Sequence, residues 1–210
     1  MPLRSSRLWR ELVAPVLERR QERHWLEKGR SGRPPAWVKR RNIMTIADLY
    51  GVEAFIETGT FKGDTIAAVA DRFATVISIE LLPKYAAAAR QRFAASPNVT
   101  IIEGDSGTAL EQAIAGLDNG RALFWLDSHY IGEAFEDRTS DTPIEREIEI
   151  IRTRRIDNGF ADIVMIDDAL CFDGSKGYPE IEPFMDAIRT GWGYTVRCAD
   201  DCIFALPPLG

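Results

Sequence analysis

From residue 53 the chain alternates short, nearly continuous apolar runs with stretches of helical periodicity. The runs are Ala54-Phe55-Ile56-Glu57, Thr75-Val76-Ile77-Ser78-Ile79-Glu80, Val99-Thr100-Ile101-Ile102-Glu103, Ala122-Leu123-Phe124-Trp125-Leu126-Asp127 and Asp162-Ile163-Val164-Met165-Ile166-Asp167. Between them the spacing predicts helices over 64–73, 83–95, 106–115 and 178–189, and one starting at Pro143. Thr142 is placed to cap that last helix, with Pro143 in its first turn and Glu145 reaching back. The chain closes with Tyr194–Cys198 and Cys202–Leu206, joined by Ala199-Asp200-Asp201, which reads as a β-hairpin. Apolar strands alternating with helices imply a parallel sheet covered on both faces. The expected class is therefore α/β: a doubly wound, mostly parallel seven-stranded sheet with an antiparallel C-terminal hairpin.

The first part of the chain is built differently. Leu8, Leu12, Val16 and Leu17 recur at helical spacing and predict an amphipathic helix over 6–28. Gly29 to Pro35 reads as a linker, and Trp37 to Tyr50 as a second helix leading into the main domain. Residues 1–45 are thus expected to be a helical extension, serving as a lid or an oligomer contact, and 46–210 the main domain. Residues 1–42 carry a net charge of +8 and residues 43–210 one of −14. A basic arm on an acidic body can dock on an anionic partner. Here Glu11, Glu18, Glu22 and Glu27 interrupt the basic residues, so the arm reads as a solvated helix packed on its own acidic domain or on a second subunit.

A chain of 210 residues buries a full core without staples, and its apolar runs are too short to span a bilayer. The N-terminus lacks the apolar stretch of a signal peptide. Cys171, Cys198 and Cys202 give no disulfide framework, so reduced thiols and a cytoplasmic protein are expected.

A doubly wound parallel sheet binds ligands at the carboxyl ends of its strands. Those ends carry Glu57, Glu80, Asp105, Asp127 and Asp167, more acids than core packing explains. The first turn is Glu57-Thr58-Gly59-Thr60-Phe61-Lys62-Gly63-Asp64-Thr65. Gly59 lets the backbone leave the strand sharply, and Gly63 allows a ligand or strand to come close at the helix start. The pattern is neither the Gly-x-Gly-x-x-Gly of dinucleotide folds nor a phosphate-binding P-loop. Glu80 stands about twenty residues beyond the turn, where an acid can accept both ribose hydroxyls of a nucleoside. Asp105 is placed either to accept from an adenine amine or to cap the next helix.

Glu57-x-Gly59-x-x-x-Gly63-x-Thr65, followed by Ile79-Glu80 and Glu103-Gly104-Asp105-Ser106, resembles the opening motifs of class I S-adenosylmethionine (SAM) dependent methyltransferases. The resemblance covers about residues 53–206, and the closing hairpin matches the reversed seventh strand of that Rossmann-like fold. It implies that Glu57 and the Gly59–Gly63 turn hold the methionine end of SAM, Glu80 the ribose and Asp105 the adenine amine. Thr58, Thr60, Thr65, Ser106 and Asp127 complete the expected cofactor-binding set. The sequence departs from the usual glycine-rich signature at Thr60 and Lys62.

A second constellation joins Leu126-Asp127-Ser128-His129-Tyr130 to Met165-Ile166-Asp167-Asp168. Residues i and i+2 of a strand share a face, so Asp127 and His129 are expected to point into one space. Asp167 and Asp168 end the neighbouring strand, as a turn or as ligands. Three converging carboxylates repel one another, and a divalent cation relieves that repulsion. Oxygen ligands favour Mg²⁺. The arrangement is similar to metal-dependent O-methyltransferases of the catechol and macrocin types, which implies that Asp127, Asp167 and Asp168 are metal ligands. Such a metal would lower the pKa of the hydroxyl to be methylated. His129 is a candidate general base, metal ligand or packed polar residue. Tyr130 to Asp141 has the composition of an active-site loop.

These features together predict an O-methyltransferase acting on a small hydroxylated acceptor, such as a sugar or glycosylated metabolite, with His129 and Asp127 as catalytic residues. Two alternatives are a SAM-binding partner or sensor domain without activity and a nicotinamide-dependent oxidoreductase. The missing Gly-x-Gly-x-x-Gly argues against the oxidoreductase. An acidic body without an Asn-Pro-Pro-Tyr-like motif after the fourth strand argues against a nucleic-acid substrate.

Overall fold

Successive side chains of a strand point to opposite faces, so a run that is apolar at every position needs cover on both. The computed structural model, which describes residues 14–30, 32–115, 117, 120–128 and 142–209, has that cover. Seven strands form one sheet in the order β3-β2-β1-β4-β5-β7-β6. They are β1 (Ala54–Thr58), β2 (Thr75–Glu80), β3 (Val99–Glu103), β4 (Ala122–Leu126), β5 (Ile163–Ile166), β6 (Thr195–Ala199) and β7 (Cys202–Leu206). The first five run parallel, and β7 lies antiparallel to both β5 and β6. Six strands therefore point one way and the last-formed strand is reversed, the α/β architecture read from the sequence.

The helices are α1 (Ala14–Glu27), α2 (Ala36–Tyr50), α3 (Asp64–Val69), α4 (Pro83–Arg92), α5 (Ser106–Ala115), α6 (Ile144–Asn158) and α7 (Ile181–Trp192). Alternate residues of the strands sort them into two layers. Ile56, Phe124, Leu126, Val164 and Ile166 face one side, where Leu110 of α5, Ile144 and Ile151 of α6 and Met185 and Ile188 of α7 cover them. Phe55, Leu123, Trp125, Ile163 and Met165 face the other, against Ile43 and Ala47 of α2, Ile66 and Val69 of α3 and Ala89 of α4. Each fully buried side chain of this size contributes about 1.5–3 kcal/mol. The two apolar layers hold the strand ends, and hence the site, in fixed register.

Some boundaries move for local reasons. The helix expected over 64–73 ends at Val69 and tightens into a 3₁₀ turn over Ala70–Arg72. The one expected from Tyr178 begins at Ile181, because Tyr178 closes a turn on the Ser175 carbonyl and Ile181 N–H bonds Phe172. Ahead of α6, whose N-cap residue is Pro143, Thr142 Oγ1 accepts from Ile144 N–H at 3.2 Å, whereas Glu145 points into solvent. In α1 the described members of the apolar stripe, Val16 and Leu17, are exposed, and Trp25 is the residue that buries. The first thirteen residues of the chain, with Leu8 and Leu12, lie outside the described residues. All three cysteines are free. Among the described residues no helix is long and apolar enough to cross a membrane.

Candidate active site

The carboxyl ends of β1, β2, β4 and β5 lie side by side, since Thr58 pairs with Ile79 and Leu126, and Leu126 with Ile166. The turn after β1 rises between them. Gly59 has φ +88°, and a Cβ there would stand 2.3 Å from the Asp127 carbonyl oxygen. The turn therefore passes backbone against backbone over the start of the segment after β4, which only glycine permits. Gly63 is also at positive φ. Its missing Cβ makes room for the Phe93 ring, 2.7 Å from where that atom would be.

The register Glu57↔Ser78 sets a hydroxyl opposite a carboxylate. Ser78 Oγ donates to Glu57 Oε2 at 2.6 Å, and Thr60 Oγ1 lies 2.6 Å from the same hydroxyl. Glu57 is 1% exposed. Burial pushes its pKa up to about 8, with help from Glu80 and against the Ser78 hydrogen bond and the Arg40 charge. Glu80 is held differently. Phe61 N–H donates to its Oε2 at 2.6 Å and Leu82 N–H to its Oε1 at 2.8 Å. Both oxygens are thereby fixed, each with a lone pair left over.

Beyond β3, Asp105 caps α5: its Oδ1 accepts from Gly107 N–H at 3.0 Å. Ser106 Oγ reaches Ser128 Oγ at 3.2 Å, and Ser128 Oγ donates to Glu147 Oε1 at 2.6 Å. Glu147 is a member the sequence reading missed. Burial raises its pKa, while hydrogen bonds from Ser106 and Ser128 and the nearby Thr58 hydroxyl oppose the shift. The Thr58 hydroxyl itself is buried without a hydrogen bond of good geometry. A signal was present: Glu147 lies between Ile144 and Ile151 on the core face of α6, where a carboxylate is out of place.

On the other side of β4, Asp167 and Asp168 come together as expected, but their third member is not Asp127. Among the described residues, the carboxylates whose oxygens come within 4.8 Å of one another are Asp167, Asp168 and Asp201, and Asp127 is not in that group. Asp168 sits at φ +53°, which turns its N–H onto Asp167 Oδ1 at 2.7 Å. Asp201, in the β6–β7 turn, accepts from Leu170 N–H at 2.9 Å. Asp200 and Asp201 both have positive φ, so they are turn residues as expected, and Asp201 also joins the acid group. Asp127 N–H is anchored on Thr58 O at 3.0 Å. Burial, and then Asp167, Glu57 and Asp168, push the Asp127 carboxyl well above the usual carboxylate range, and Lys39 works the other way.

Lys39 comes from α2, a segment that sequence reasoning gave no chemistry. Its ammonium hydrogen-bonds Asp167 Oδ1 and lies 3.6 Å from Asp168 Oδ1 and 4.0 Å from Asp201 Oδ2. Burial lowers its pKa, but the three acids together outweigh that and raise it. The donor chemistry of these acids would suit Mg²⁺, yet an ammonium already sits on Asp167 Oδ1 and within 4.0 Å of the other two acids. The group as built does not fit a metal. Arg33, 3.4 Å from Asp168 Oδ2, and Arg30, paired with Asp200, tie the preceding segment to the same edge.

Two cavities share Asp127 and Asp167 as a common wall. One, of about 180 Å³, is bounded by Arg33, Lys39, Arg40 and Thr65. The other is bounded by Ser128, Thr142, Glu147 and Tyr178. His129 and the segment Tyr130 to Asp141 lie outside the described residues.

No protein-family profile matches the sequence, and no curated protein matches it in sequence. Solved structures do match in three dimensions. An O-methyltransferase from Bacillus cereus in complex with S-adenosylhomocysteine (SAH) superposes with a TM-score of 0.57 at 12% identity, covering 95% of each chain. The O-methyltransferase TomG from Streptomyces achromogenes, involved in tomaymycin synthesis and bound to SAM, gives 0.58 at 13% identity, covering 90% of this chain and 88% of that one. An SAH-bound methyltransferase of Podospora anserina gives 0.55 at 16% identity, covering 80% and 77%. At such identities the likeness is one of architecture, and the chain has the α/β fold of the class I SAM-dependent methyltransferases.

Proposed function

We propose that the chain is a SAM-dependent methyltransferase that methylates a hydroxyl of a small acceptor, such as a sugar or glycosylated metabolite. The observation that carries this reading is the Glu80 carboxylate at the tip of β2. Its two oxygens are fixed by the N–H groups of Phe61 and Leu82, beside the buried Glu57–Ser78–Thr60 chain. A carboxylate so held presents one lone pair from each oxygen, a match for the paired hydroxyls of a ribose. Glu57, buried and reluctant to ionise, favours a ligand that brings positive charge, as the methionine end of SAM does.

SAM supplies an activated methyl group on a sulfonium, so the protein's task is alignment and proton removal. Asp127 is the candidate for the second task. It lies between the two cavities, and the Lys39 charge favours the ionised form that would take the proton. His129, two residues on, is the other candidate base. Thr65, Asp105 and Ser106 complete the cofactor set in this reading. The several O-methyltransferases among the structural neighbours support oxygen as the acceptor atom.

Calorimetric titration tests the cofactor. SAH should bind the wild-type protein and NAD should not. Glu80→Ala should weaken SAH by about tenfold or more, the cost of losing hydrogen bonds to a charged acceptor. A wild-type protein indifferent to SAH would refute the reading.

A further inference from the structure

The acids beyond β5 must be balanced by positive charge. The side chains of Asp167, Asp168 and Asp201 are 8%, 7% and 1% exposed. Carboxylates in such surroundings either meet a cation or give up their ionisation. The cation comes from within the chain. Lys39, near the start of α2 and itself 13% exposed, hydrogen-bonds Asp167 and stands within 4.0 Å of both other acids. Asp201 Oδ2 is buried with no hydrogen bond among the described residues, so the nearby ammonium is what offsets its charge. Arg33 adds a second positive charge from the outer side, at Asp168 Oδ2.

We propose that Lys39 is a built-in cation that takes the place of a divalent metal beside the cavity it lines with Asp127 and Asp167, so that the protein binds such a metal only when the Lys39 charge is removed. Mg²⁺ requires near-octahedral oxygen contacts at about 2.0–2.1 Å. An ammonium seated directly on Asp167 Oδ1 takes one of those oxygens and repels the ion as well. The exchange also changes the chemistry. An ammonium donates hydrogen bonds and balances charge but coordinates no substrate oxygen, so the proton of the acceptor falls to a side chain such as Asp127. This last consequence rests on the methyltransferase reading; the binding claim does not.

The test is titration of the full chain with MgCl₂ and MnCl₂, by calorimetry and by thermal unfolding in EDTA or metal. It compares the wild type with Lys39→Met and Lys39→Arg. Wild type and Lys39→Arg should give no binding heat and the same Tm in EDTA and in metal. Lys39→Met should melt lower in EDTA, bind Mn²⁺ saturably where wild type gives no heat, and recover Tm when it does. Adding Asp167→Asn should abolish that gain. Saturable wild-type binding that Asp167→Asn removes would overturn the proposal, as would a folded Lys39→Met variant that gains no affinity. Should Lys39→Met not fold, the wild-type and Lys39→Arg titrations decide alone: flat traces support the proposal and saturable binding refutes it. Neither SAM nor acceptor is needed, and SAH binding by the same preparation reports separately on the methyltransferase reading.

Discussion

Glu57 shows how one side chain carries a cost that the fold tolerates for its site. Its ordinary pKa of 4.5 rises to about 8 on burial. Between those values the folded chain holds a proton that the unfolded chain has released. The folded state thus binds more protons, and stability falls as pH rises through that window, by about 1.4 kcal/mol per pH unit from this group. Glu57→Gln keeps the shape and a partner for Ser78 while removing the titration. Urea unfolding at pH 5, 6, 7 and 8 should therefore show a shallower decline for the variant, with the gap over wild type widening toward pH 8. Parallel declines would mean that Glu57 is ionised in the folded protein. The residue itself was legible from its place at a strand end. Ser78 was not singled out, although its position opposite Glu57 follows once the strands are paired in register.

At the scale of elements, the strands and most helices were legible because an all-apolar run has few other fates in a folded chain. The fifth strand illustrates the limit. Its expected first residue, Asp162, lies just outside β5 because its side chain is used as an anchor. Asp162 Oδ1 accepts Ala122 N–H at 2.8 Å, Oδ2 pairs with Arg154 of α6, and Arg154 Nη2 reaches Gly120 O at 3.0 Å. With side chains 1% and 4% exposed, this pair locks α6 to the starts of β4 and β5. Asp162→Ala would leave a buried guanidinium without its counter-charge and should destabilise the protein by about 3–5 kcal/mol. Chemical denaturation measures it; a loss under about 1 kcal/mol would show that Arg154 finds other partners. The capping of α6 was likewise half legible. Thr142 followed from the local sequence, but Glu147 rather than Glu145 is the acid with work at that end, and its partners Ser106 and Ser128 lie outside the helix, where no local pattern points to them.

For the molecule as a whole, Arg30, Arg33 and Lys39 from the basic first part of the chain meet acids of the main domain. Which residues meet was beyond reach, because Lys39 and Asp167 are 128 residues apart and no local pattern links them. Not all of these contacts matter equally. Arg30 and Arg33 are 54% and 62% exposed, so solvent screens their pairs with Asp200 and Asp168. The double variant Arg30→Ala, Arg33→Ala should lose no more than about 2 kcal/mol by urea unfolding, the sum for two exposed pairs. A loss well above that would make the segment before α2 a structural clamp.

The distance along the chain between Lys39 and the acids it meets has a kinetic meaning. Glu57 and Ser78 are 21 residues apart, so the β1–β2 edge closes a short loop. The Lys39–Asp167 contact closes one six times longer, and Asp201 arrives only with the reversed strand. Long closures form late, since their entropy must be met before their contacts reward it. During refolding the two halves of the cleft should therefore mature at different moments, and a chain caught midway would own the first without the second.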